Sequence, residues 1–80
     1  MFSTADFIRY MARHLVDSPG DVSVKVVEGN HTSIFELKVA KLDIGKVIGK
    51  KGRTVSALRT ILKAVSSKEK NQPAILEIIE

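Results

Sequence analysis

The residues able to do chemistry are concentrated in one stretch, Ile44-Gly45-Lys46-Val47-Ile48-Gly49-Lys50-Lys51-Gly52-Arg53. Gly49 and Gly52 bracket two lysines, and Gly45 lies one helical turn earlier. Glycine admits positive φ and lets another backbone or a ligand come close. A tight connection built this way turns its lysines to solvent. The residues after Gly52 open a helix, whose free N–H groups and positive dipole end face the same spot. The combination is an anion-holding corner. It is not a P-loop. Gly45 to Gly49 is one residue too short for that motif, and Lys51 stands where Ser or Thr must reach the metal.

Charge supports a polyanion as the ligand. The formal net charge is +4. Between residues 44 and 68 lie Lys46, Lys50, Lys51, Arg53, Arg59, Lys63 and Lys68 with no acid, while the rest of the chain is net −3. A merely solvated helix face more often mixes both signs. A one-signed segment centred on a glycine-flanked loop points to a phosphate-rich partner.

Length and composition set limits. Eighty residues allow one domain, 1–80, near the lower size for a self-sufficient core, so a subunit partner would be physically useful. There is no cysteine, hence no disulfide framework and no thiolate metal site. No apolar run approaches the ~20 residues of a membrane span. No basic segment followed by an apolar signal core opens the chain, so a cytoplasmic location is expected. No nucleophile–base pair, metal cluster or cofactor loop is visible, and neither catalysis nor a cofactor is expected.

The elements that position the loop follow from periodicity. Ser3 or Thr4 caps a first helix with Asp6 in its first turn. Thr4, Ile8, Met11 and Leu15 share one face, widened by Ala5, Ala12 and Val16. Tyr10 and His14 sit one turn apart on its flank as half-exposed packing residues. Asp17-Ser18-Pro19-Gly20 stops the helix. Val22, Val24 and Val26 alternate with Ser23, Lys25 and Val27, as a strand with one buried face does. Gly29-Asn30-His31-Thr32 turns the chain, with His31 a loop residue, and Phe35, Leu37 and Val39 mark the return strand of a hairpin. Asp43 is expected to N-cap a short helix through Ile48. Gly45 inside that helix weakens it and suggests close approach by a packed strand or a ligand. A longer helix runs from Gly52 to about Ser67 on a core stripe of Val55, Leu58, Leu62 and Val65. Lys68 to Gln72 is expected as a loop, Pro73 as a helix stop and Ala74–Ile79 as a third strand, with Glu77 and Glu80 at its wetter positions.

The order is helix, strand, strand, helix, helix, strand. A two-helix crossover joins parallel strands and is right-handed. The expected α+β fold is a three-stranded mixed sheet with three helices on one face. Val47-Ile48-Gly49-Lys50-Lys51-Gly52 between two helices resembles the signature of a KH domain, and the α-β-β-α-α-β order resembles its type II, prokaryotic form. The likeness extends to the small single-domain bacterial KH proteins of the KhpA family. It is carried by Leu15-Val16-Asp17-Ser18-Pro19, Asp43-Ile44-Gly45-Lys46-Val47-Ile48-Gly49-Lys50, Gly52-Arg53-Thr54 and Ala57-Leu58-Arg59-Thr60-Ile61-Leu62, and covers essentially the whole chain. Lys51 departs from the family, in which a smaller or uncharged residue is usual.

The resemblance implies a single-stranded RNA binder that clamps about four nucleotides, acting as a small RNA chaperone or post-transcriptional regulator. In that reading the amides of Gly49 to Gly52, with Lys50, Lys51 and Arg53, hold phosphates. Ile44, Gly45, Val47 and Ile48 line an apolar groove, with Lys46 beside it, though not all four need face the ligand and Val47 in particular has the alternative of a core position. No aromatic lies near the motif, so bases rest on aliphatic contacts and backbone hydrogen bonds. The resemblance also implies pairing with itself and with a larger KH-containing partner of the Jag type. An assembly module with RNA binding secondary is the alternative. On the long helix, Ala57, Ile61 and Ala64, with Thr54 at the junction, widen the apolar arc to roughly half the helix, more than the ~100° a surface helix needs. Either the first helix covers this flank within the monomer, or the flank is a homodimer interface anchored by Ile61.

Overall fold

The computed structural model describes residues 3–69 and 73–79. Its helices are α1 (Thr4–Leu15), α2 (Ile44–Ile48) and α3 (Arg53–Glu69), and its strands β1 (Ser23–Glu28), β2 (Ser33–Lys38) and β3 (Ala74–Ile79). Single 3₁₀ turns precede β1, α2 and α3 at Pro19–Asp21, Lys41–Asp43 and Lys50–Gly52. The sheet order is β1-β2-β3, with β1 antiparallel and β3 parallel to β2. This is the expected α-β-β-α-α-β arrangement, an α+β fold.

Ser3 is the N-cap of α1. Its hydroxyl accepts from the Asp6 N–H at 3.1 Å, and Asp6 Oδ2 accepts from the Ser3 N–H at 3.0 Å. This reciprocal box satisfies two amides that the helix itself cannot. Arg9 closes on the other Asp6 oxygen at 2.7 Å. The Ser3 backbone N–H first, then its hydroxyl, then Arg9 hold the Asp6 carboxyl below its ordinary value.

One contiguous core lies between sheet and helices. Ile8 and Ala12 of α1, Val47 of α2 and Val55, Leu58 and Leu62 of α3 pack with Phe35, Leu37 and Leu76 of the sheet. Alternation makes this possible. Ser33, Phe35 and Leu37 of β2 and Ala74 and Leu76 of β3 are buried, whereas Ile75 and Glu77 on the opposite face are exposed. β1 departs from its expected pattern. Val22 is buried, but Val24 is only half-buried and Val26 is exposed. β1 and β3 are both edge strands, but only β3 keeps the core side of its alternation buried.

Tyr10 and His14 are exposed, more so than the expected half-exposed packing, and their rings meet at a tilt of 48° with centroids 4.4 Å apart, His14 Nδ1 lying 2.8 Å from the Tyr10 carbonyl. α3 runs to Glu69, beyond the expected end at Ser67. The remainder of the expected loop, residues 70–72, and Glu80 lie outside the described residues. Among the described residues, no helix is long and apolar enough to cross a membrane, and no group of three His, Asp or Glu could hold a metal.

Removing the cap tests this account. Ser3→Ala should destabilise the protein by about 1 kcal/mol in urea denaturation at neutral pH. Because the folded-state value of Asp6 is lowered, its stabilisation is complete above the ordinary 3.8 and is lost as pH falls through the lowered value. Asp6→Asn should therefore flatten the most acidic part of the stability–pH curve.

Candidate nucleic-acid interface

α2 closes with the Gly49 N–H on the Gly45 carbonyl at 2.8 Å. Gly49 then takes φ 78, ψ 173, a region essentially closed to other residues. A Cβ there would also overlap the side chain and amide of Thr54. The chain turns through Lys50 and Lys51, the Gly52 N–H returns to the Gly49 carbonyl at 3.1 Å, and α3 begins at Arg53. Gly52 has φ 72, with open space where a Cβ would be. Lys51 itself is left-handed, at φ 57 and ψ 26. For a residue with a Cβ that conformation costs roughly 1–2 kcal/mol. A strained residue between two positive-φ glycines marks a loop held in shape by its surroundings.

The loop's amides are less available than the sequence suggests. Those of Gly49 and Gly52 are bonded within the turn, and that of Arg53 is bonded to the Lys50 carbonyl. The side chains of Lys50, Lys51 and Arg53 carry more of the anion-holding capacity. All three are exposed, and none forms an ion pair with a described residue.

Of the expected groove residues, the structure separates those that face outward from those that face inward. Val47 is fully buried. Its side chain is core and lines no groove, the alternative that the sequence left open for it, so it leaves the set of groove residues. Ile44 is half-buried and packs partly against the core. Gly45 is exposed with nothing within 4 Å of a would-be Cβ, so no packed strand requires a glycine there. Ile48 is 37% exposed. Leu42, which sequence reasoning passed over, is 93% exposed. It lies three residues before Gly45, which in turn lies three before Ile48. A 3₁₀ turn running into a helix brings such positions onto one side. Leu42, Gly45 and Ile48 thus form an exposed apolar line leading to the loop. That spacing was the signal available in the sequence.

Asp43 also differs from expectation. Its backbone is helical, at φ −97 and ψ −5, and its side chain makes no cap hydrogen bond. An N-cap side chain reaches its amides from an extended backbone. Asp43 is instead buried, and its Oδ2 accepts from the Ser18 N–H at 3.1 Å, joining the α1–β1 connection to the start of α2.

Lys46, expected beside the groove as an RNA-binding residue, lies 2.8 Å from Asp17 Oδ2 and 3.7 Å from Asp43 Oδ1. The hydrogen bond to Asp17, with smaller help from Asp43, raises its affinity for the proton above that of an ordinary lysine. Arg59 donates to the Leu76 carbonyl of β3 at 3.4 Å. On the flank of α3, Ala57 and Ala64 are exposed and Ile61 is half-buried. α1 therefore leaves much of this flank uncovered. Thr54 is half-buried with its side chain against Gly49, a support for the loop that the sequence did not announce.

Residues 5–78 match the family model described as the KhpA/KhpB KH domain. The chain belongs to that family. The RNA-binding protein KhpA of Chlamydia caviae is 53% identical over 75 residues, covering 94% of this chain and 95% of the relative. KhpA of Caldanaerobacter subterraneus is 47% identical over 74 residues, covering 92% and 97%. Among solved structures, Era in complex with MgGDPNP and nucleotides 1506–1542 of 16S ribosomal RNA superposes at TM-score 0.67 and 22% identity. The match covers 94% of this chain and 28% of the Era chain, and it establishes the shared fold. In this KhpA/KhpB KH domain the left-handed Lys51, the supporting Thr54 and the open Gly45 belong to one connected unit.

Two glycine substitutions should move stability in opposite directions. Gly49→Ala meets both a forbidden φ and the Thr54 side chain, and should destabilise by about 2 kcal/mol or more. Gly45→Ala meets nothing within a helix and should stabilise by roughly 0.5–1 kcal/mol. Thermal denaturation of the two variants beside wild type checks the sign of each.

Proposed function

We propose that this protein binds single-stranded RNA. Phosphates lie on the Gly49–Gly52 loop against Lys50, Lys51 and Arg53, and bases lie along Gly45 and Ile48, with Leu42 at the far end. Lys50, Lys51 and Arg53, unpaired among the described residues at the loop and the helix start that follows it, beside an apolar strip, are the observation that carries this reading. The relatives named RNA-binding protein KhpA, about half identical over nearly the whole chain, support it. A narrow aliphatic strip admits unstacked bases and not a paired helix. Binding is then weak, salt-dependent and mildly selective, as phosphate-dominated contact without aromatic stacking requires. Such a ligand suits a small RNA chaperone or post-transcriptional regulator. Binding, not catalysis, is what the family of named relatives supports.

The protein acts as a dimer in this reading. The exposed Ala57 and Ala64 beside half-buried Ile61 favour a close helix-to-helix approach across a two-fold axis. A larger KH-containing partner of the Jag type would compete for the same flank, the second role being assembly.

Lys50→Asp/Lys51→Asp should abolish the electrophoretic shift of short single-stranded RNA at moderate salt while moving stability by no more than ~0.5 kcal/mol. Wild type should prefer single strands over a duplex of equal length. A folded double variant that still binds, or a duplex preference, removes the loop-and-groove reading. Light scattering should find a dimer in wild type and a folded monomer in Ile61→Asp. Wild type that stays monomeric at high micromolar concentration removes the dimer.

A further inference from the structure

The pairing of Lys46 has a consequence for how far a bound strand is gripped. Lys46 lies one turn before Lys50 and belongs to the same basic segment. Yet it sits between two carboxylates, at 2.8 Å from Asp17 and 3.7 Å from Asp43. Asp43 is buried and fixed by the Ser18 N–H. That same bond anchors the residue next to Asp17, so the connection carrying Asp17 is held beside α2. Exposed ion pairs are individually weak. The sum of charges, however, does not depend on their exact geometry. Lys46, Asp17 and Asp43 together are net −1, whereas Lys50, Lys51 and Arg53 are net +3 with no acid among the described residues paired to them. The interface is therefore electrically divided along α2. Its loop end attracts phosphate and its first turn does not. The apolar surface of Leu42 and Gly45 lies at the other end, where the exposed Lys41 beside Leu42 brings the local sum with Lys46, Asp17 and Asp43 to zero and not to a positive value.

We propose that Asp17 is a specificity-determining residue that ends the phosphate track: by engaging Lys46 it confines backbone contact to the Gly49–Gly52 loop and leaves the start of α2 to a base. The proposal rests on the single-stranded RNA reading above. It makes Asp17 a brake on non-selective binding, because each further phosphate contact adds sequence-independent affinity.

The experiment measures RNA affinity by fluorescence anisotropy with one short single-stranded oligonucleotide across a salt series. Asp17→Asn removes the nearer and more exposed carboxylate, leaving Lys46 with Asp43 at 3.7 Å and able to turn to one more phosphate. Affinity should rise about four-fold at 0.15 M salt and about eight-fold at 0.05 M, with the log–log slope steeper by about 0.7, the single-strand value per contact. Asp17→Asn/Lys46→Gln has the same net charge at this point as wild type and should return to wild-type affinity and slope. Glu36→Gln, on the far face of the sheet, removes the same charge at a distance and should change the slope little. The proposal is overturned if Asp17→Asn leaves affinity and slope unchanged. It is also overturned if the double variant binds well below wild type, since Lys46 would then already hold phosphate, or if Glu36→Gln matches Asp17→Asn. Thermal midpoints of all variants should equal that of wild type. Wild type that binds no RNA removes the RNA reading and the proposal together. Wild type that binds through Lys50 and Lys51 without responding to Asp17→Asn removes the proposal alone.

Discussion

The interface depends on the backbone of Gly49. At φ 78 and ψ 173 the chain leaves α2 and within three residues enters α3, with Thr54 packed where a side chain on residue 49 would be. Neither condition alone is so restrictive, since a positive φ is tolerated by a few residue types and crowding by small ones. Together they leave hydrogen as the only side chain. The path forced on the chain then sets Lys51 in a left-handed conformation that it would not choose alone. The turn's own hydrogen bonds hold it there. Charge is thus presented from a loop whose shape is fixed before any ligand arrives, which reduces the ordering that binding must impose.

α2 is only five residues long, too short to be stable by itself. Its two attachments explain how it keeps a fixed position. Val47 is buried among the core side chains, and the buried Asp43 accepts from Ser18 at the start. One face is thereby consumed by the fold. The opposite face, Gly45 and Ile48, is left outward as a consequence of the helix period and not as an independent feature. Leu42 extends that face because the 3₁₀ turn preceding α2 keeps the three-residue spacing. The same attachments place two carboxylates beside Lys46, so the structural anchor of α2 also shapes the electrostatics of the surface it presents.

Much of this was legible along the chain. Phe35 and Leu37 alternating with Glu36 and Lys38 identified β2 and its buried face, because a period of two leaves little ambiguity when a helix layer covers one side, whereas the almost wholly apolar Ala74–Ile79 showed a strand but not which face is buried. Ser3 or Thr4 was legible as the cap with Asp6 in the first turn, though not the reciprocal box, and the Val55–Leu58–Leu62–Val65 stripe announced the inward face of α3, of which Val65 is only half-buried. Positions whose roles depend on distant partners were not legible. Asp43 reads as an N-cap from its neighbours, but its actual partner is Ser18, 25 residues away. Val47 and Ile48 are adjacent and equally apolar, and only the packing of α2 against the core decides which is buried.

By itself the sequence determined the order of elements, the location of the loop and the segregation of positive charge into residues 44–68, since propensity, periodicity and formal charge are local or additive properties. The tertiary structure alone decided which of those charges are left without an acidic partner among the described residues and which apolar residues are exposed beside them. Lys46 and Lys50 are indistinguishable in composition and lie four residues apart. One meets Asp17, 29 positions away, and the other meets solvent. Electrostatic potential depends on distance in space, and the fold, not the order of residues, sets that distance.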